Sequence, residues 1–110
     1  MSAAFDHTTP RQGPNHGWFL DRYPSFLYVD RICVDTSARR RGLARQLYEH
    51  VFASASTRRI AMVVCEVSIP NPASDAFHET LGFTEVGRAH HAAIGKTVRY
   101  LTRPIGTGLA

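Results

Sequence analysis

Four arginines, Arg39, Arg40, Arg41 and Arg45, crowd around Gly42 in the stretch ARRRGLAR, and apolar residues at helical spacing follow directly. Leu43, Leu47, Val51 and Ala55 recur every four residues, the stripe of an amphipathic helix that starts near Arg41. The first backbone N–H groups of a helix lack intrahelical partners, so a helix start is an anion site. Arginines around such amides add charge-assisted hydrogen bonds to phosphate oxygens. A basic helix start also reads as a merely solvated end, and its neighbours must decide between the two.

Two carboxylates stand out because their surroundings are apolar. Asp30 and Glu66 lie within strand-like runs, where a carboxylate without partners is costly. Each could accept a proton; each also fits a pairing with an arginine such as Arg31, or a solvent-facing position. His78 could give or hold a proton, or could be a packing or helix-surface histidine. Cys33 and Cys65 form no CxxC pair, and buried, reduced thiols are expected. His90 and His91 are adjacent and point to opposite faces of a strand, while His7, His16 and His50 lack a partner at ligand spacing. No structural metal is expected.

The elements that position these groups can be read from periodicity. Residues 26–34, FLYVDRICV, are β-branched and aromatic with apolar residues on both faces, as in a strand covered on both sides. Residues 59–67, RIAMVVCEV, have the same character, so strand, helix and strand form a right-handed parallel crossover. In NPASDAFHETLGF, Asn71 suits an N-cap, Pro72 the first helical position and Gly82 the residue past the helix end. A short helix over 72–81 is expected, with Ala73, Ala76, Phe77 and Leu81 inward. Strands over 83–89 and 97–102 with a turn near Gly95 predict a C-terminal antiparallel hairpin. Residues 1–24, rich in Pro, Gly, Asn and His, read as irregular with a short turn of helix after Asn15. The expected division is therefore an irregular segment over 1–24, a core over 25–104 and a tail over 105–110.

One modest domain is all that 110 residues provide. The net charge of +4 rests on arginines scattered from Arg11 to Arg103, with Lys96 the only lysine. Such a balance suits an anionic ligand. Gly42 and Leu43 interrupt the basic run and no aromatic stacking platform lies beside it, so no nucleic-acid partner is expected. The longest apolar run, IAMVVC, is far short of the ~20 residues that span a bilayer, and the start of the chain has no apolar signal core. A cytoplasmic protein with no membrane partner is expected.

Taken together, VDRICVDTSARRRGLARQLYEH and CEVSIPNPASDAFHETLGFTEVG resemble the GNAT family of acetyl-coenzyme A dependent N-acetyltransferases. The cofactor motif of that family is matched by Arg39, Gly42 and Ala44. A later signature is matched by Asn71, Phe77, His78 and the pair Gly82 and Phe83. The resemblance implies an α/β fold: a mixed sheet with a parallel strand–helix–strand core and a C-terminal antiparallel hairpin, lacking most of the N-terminal subdomain. It implies that acetyl-CoA lies where two parallel strands splay apart. The backbone of Ile32, Cys33 and Val34 would bond its pantetheine arm, and the amides of Arg41, Gly42, Leu43, Ala44 and Arg45 its pyrophosphate, with Arg39 and Arg40 nearby. Asn71 and Phe77 would line the opposite wall.

By the same resemblance the reaction is transfer of an acetyl group to the amine of a small molecule or a protein. Asp30 or Glu66 would remove the amine proton, and His78, where most members carry tyrosine, would protonate the leaving thiolate. At an unperturbed pKa near ~6.5, such a histidine is about one quarter protonated at pH 7. A cofactor-binding module without turnover, or a subunit completed by a partner, are the competing readings. An exposed sheet edge favours self-association, and a homodimer is expected.

Overall fold

The computed structural model describes residues 4–11, 13–29 and 41–105. A five-stranded mixed sheet, in the order β1-β2-β3-β5-β4, forms its centre. The strands are β1 (Ala4–Asp6), β2 (Leu27–Val29), β3 (Met62–Ile69), β4 (Thr84–His91) and β5 (Lys96–Pro104). The helices are α1 (Pro14–Leu20), α2 (Arg41–Thr57) and α3 (Pro72–Thr80). β2 and β3 run parallel across α2, as the alternating sequence pattern predicts. β5 pairs antiparallel with both β3 and β4.

Side chains along β3 alternate between two cores. Val63, Cys65 and Val67 face α2 and α3, packing with Tyr48, Val51, Ala55, Phe77, Leu81 and Phe83. Val64 belongs to the opposite face, with Phe19 of α1, Phe26, Tyr28, Val98 and Tyr100. Both faces are thus covered, which is why β2 and β3 read as continuous apolar runs rather than alternating ones.

In the N-terminal segment a helix stands where a short turn was expected after Asn15, and a strand stands where the reading was irregular. β1 extends the sheet antiparallel to β2, and α1 closes the second core. Three residues are too few for a period to show, and a seven-residue helix beginning at a proline leaves little pattern. Asp6 accepts from Thr8 and pairs with Arg58 just beyond α2, so the start of the sheet is tied to the far end of the long helix. Trp18 of α1 stacks on Tyr100 at a centroid distance of 4.2 Å, with the Arg22 guanidinium 3.9 Å from the Trp18 ring centroid. Gly87 of β4 leaves room for that indole: a Cβ there would stand 2.5 Å from Trp18 Cζ2.

α3 follows its sequence signals at both ends. Asn71 Oδ1 accepts from the Ser74 amide at 3.2 Å, Pro72 opens the first turn, and Gly82 takes φ +91°. Its inner face is corrected, however. Ser74, Phe77, His78 and Leu81 are buried, whereas Ala73 and Ala76 are exposed. The helix has turned two polar residues inward because each finds a hydrogen-bond partner there.

Candidate functional site

Gly42 and Arg45 in the first turns of α2 meet Ala76, Phe77 and Thr80 of α3 across an open cleft of about 210 Å3. Among the described residues no heavy atom outside the helix's own backbone lies within 4 Å of where a Gly42 Cβ would stand. No acidic residue lies in its first turn to compete for the amides. The cleft therefore combines helix N–H groups, the exposed Arg45 and an apolar wall. That donor set fits one stretch of a long ligand carrying both phosphate and aliphatic segments. Of the residues expected to hold the cofactor, Gly42, Arg45 and Phe77 come together here. The helix includes Arg41, Leu43 and Ala44, while Asn71 caps α3 at its other end. Asp30, Ile32, Cys33, Val34, Arg39 and Arg40 lie outside the described residues.

His78 does not line that cleft; it is buried against Tyr48 of α2 and also borders a second cleft beside Asp75, Glu85 and Arg99. Its Nδ1 lies 2.7 Å from the Ser74 carbonyl oxygen, which can only accept, so the ring carries its proton on Nδ1. Nε2 is then the acceptor for the Tyr48 hydroxyl at 2.8 Å. Burial lowers the His78 pKa, against the opposing pull of the Ser74 carbonyl and the Asp75 carboxylate. The one-quarter charge expected from an unperturbed ring is thus corrected: His78 is a neutral, internally bonded imidazole at pH 7. Tyr48 was not singled out from sequence, because it stands one position beside the Leu47 stripe and its partner is 30 residues away. The same hydroxyl bonds the buried Cys65 thiol, whose pKa is pushed up by desolvation.

Glu66 occupies the other face of the sheet. It is 5% exposed, opposite Tyr100 in the β3–β5 register, and accepts from the Tyr28 hydroxyl at 2.6 Å. Its burial rules out the solvent-facing position, and a phenol on β2 bonds it; Arg31, the arginine named from sequence, lies outside the described residues. Beside it the Tyr100 hydroxyl donates to Asn15 Oδ1 at 2.8 Å, and His91 Nε2 lies 3.1 Å from the same oxygen. The α2–α3 cleft and the buried carboxylate thus lie on opposite faces of the sheet. Among the described residues no group of three or more His, Cys, Asp or Glu could hold a metal ion, and no helix is long and apolar enough to cross a membrane.

A parallel β2–α2–β3 crossover, an antiparallel β4–β5 hairpin and a cleft at the start of α2 define an acyltransferase-like α/β protein. The chain belongs to the acetyltransferase (GNAT) family, which its sequence matches over residues 13–83. Over 54 residues it is 43% identical to the ribosomal protein bS18-alanine N-acetyltransferase of Salmonella typhimurium, an overlap of 49% of this chain and 36% of that protein. The crystal structure of the corresponding Escherichia coli enzyme is similar, with TM-score 0.60 and 28% identity over 77% of this chain and 59% of its own. The NatC complex bound to Gag peptide and CoA has TM-score 0.68 at 17% identity, covering 96% of this chain and 60% of that one, which speaks for the fold alone. The chain thus spans 36% of the curated relative's length and about three-fifths of these solved chains.

Proposed function

We propose that this protein is an acetyl-CoA dependent N-acetyltransferase whose acceptor is a protein or small-molecule amine. The observation that carries the reading is the pairing of two features across β3: the cleft at the start of α2 and the buried Glu66 carboxylate behind it. Bound acetyl-CoA supplies a thioester. Gly42, Arg45 and Phe77 hold it in the cleft, the α2 amides meeting phosphate and Phe77 the aliphatic arm.

An ammonium has no lone pair for attack, so the acceptor first loses a proton, which Glu66 receives. The amine nitrogen then bonds to the acetyl carbon as the carbon–sulfur bond breaks. A second proton leaves nitrogen, so that overall one proton ends on the coenzyme A thiol and the other in water. The α-amine of a protein N-terminus, with an ordinary pKa near ~7.7–8.0, asks least of such a base. The alanine N-acetyltransferase relatives favour the same acceptor class. Asp30 is the alternative base from the sequence and is separated from Glu66 by comparing Asp30→Asn with Glu66→Gln. Pairing of two copies into a homodimer is part of the reading, and a monomeric mass in light scattering across a wide concentration range removes it.

The first test is thermal unfolding with and without acetyl-CoA. At about 100 times the dissociation constant a ligand adds ~2.7 kcal/mol, a rise of roughly ten degrees for a domain near this size. Gly42→Glu fills the cleft with a carboxylate where a phosphate belongs, yet its Cβ meets no atom of the other described residues. The variant is expected to keep its own melting temperature and lose the ligand-induced rise. Coenzyme A release with alanine-terminated peptides then separates an enzyme from a binding module.

A further inference from the structure

We propose that Tyr28 is the positioning residue of the acetyl-transfer site, its phenol fixing Glu66 and keeping that carboxylate ionised to receive the amine proton. The inference rests on the reading of Glu66 as the base. Tyr28 pairs with Val64 in the parallel register, and its hydroxyl reaches one pair further along the same face to Glu66 Oε1. A 2.6 Å O–H···O contact between two buried side chains is the length of a charge-assisted bond to a carboxylate, which favours the ionised form.

The phenol is itself held. His16 of α1 lies 5.7 Å from its ring and Phe19 6.0 Å, and His16 Nε2 is anchored 3.1 Å from the Asp6 carbonyl oxygen of β1. The first strand and first helix therefore brace Tyr28, and Tyr28 braces Glu66.

Other groups also face or feel this carboxylate. Tyr100 on β5 lies opposite it, and its phenol pKa is raised by burial first and by the Glu66 charge second. Arg22 of α1 opposes that rise at Tyr100. His16 of α1 stands behind Tyr28, and the Cys65 thiol on β3 itself senses Glu66. Tyr28 donates directly to the carboxylate oxygen.

The test is a titration of Glu66 in the full chain, followed by carbon NMR of isotopically labelled glutamate and assigned by loss of the signal in Glu66→Gln. Tyr28→Phe keeps the ring and removes the donor. The Glu66 midpoint is expected to rise by about one pH unit, and the acidic limb of kcat/KM to move with it. A ring-fluorinated tyrosine at the same position, a stronger donor, is expected to move the midpoint down, and it serves alone if Tyr28→Phe does not fold. An unmoved midpoint in the substituted protein overturns the proposal even if Glu66→Gln is inactive. A shifted midpoint with Glu66→Gln fully active overturns the base assignment instead, leaving Tyr28 without a catalytic role.

Discussion

Tyr48 and His78 show how much a single buried hydrogen bond can decide. Both side chains are almost completely covered, and each satisfies the other, with the Ser74 carbonyl completing the set. Replacing Tyr48 by phenylalanine leaves Nε2 of a buried imidazole without a donor, at a cost of about 1–3 kcal/mol. The same change withdraws a bond made to the neutral ring, so the His78 pKa is expected to climb back toward its ordinary value. Denaturant midpoints check the first effect and imidazole NMR titration the second. At this scale the sequence was legible where a residue type has one common use: Asn71 as a cap, Gly82 at positive φ. It was not legible where two residues far apart in the chain complete each other. Nothing local distinguishes His78 from a surface histidine, or shows that a tyrosine on β2 would meet Glu66.

The elements followed their periods where the run was long. α2 begins at Arg41 as the stripe predicts, and both parallel strands are covered on both sides. β1 escaped, and α1 was legible only as a short turn of helix after Asn15, because their order comes from docking, not from intrinsic pattern. Trp18 lies between Tyr100 and Arg22, over the gap left by Gly87. Gly87→Ala puts a methyl inside the indole's contact distance and is expected to cost about 1–3 kcal/mol by forcing that ring outward. Trp18 is the only tryptophan, so its emission, shifted to the red in the variant, reports whether α1 still sits on the hairpin.

Stability of the whole molecule is expected to fall with acidity in two stages. The folded His78 has its pKa lowered below the ordinary 6.5, chiefly by burial. The unfolded chain therefore takes the proton first, and stability that is complete above that value is lost progressively as pH falls below it. Asp6 and Glu85 are lowered from 3.8 and 4.5, Asp6 chiefly by Thr8 and Glu85, to about 2, chiefly by Arg88. Their contribution is present above those ordinary values and is lost as pH falls through the folded ones. Glu85 is largely exposed, which keeps its share small. A melting temperature measured from pH 8 to pH 2 is expected to decline first below about 6.5 and again in the acid range. His78→Asn removes only the first decline.

Alternation along β3 has one more consequence. Cys65 lies beneath the helices with Tyr48, while Glu66, the very next residue, lies on the α1 face with Tyr28. The strand works as a parity check on the chain. One residue inserted or lost within it would send the carboxylate beneath α2 and α3 and the thiol to the aromatic face, so both networks would fail at once. Genetic drift can therefore change the loops around this strand one residue at a time, but can alter its own length only in steps of two.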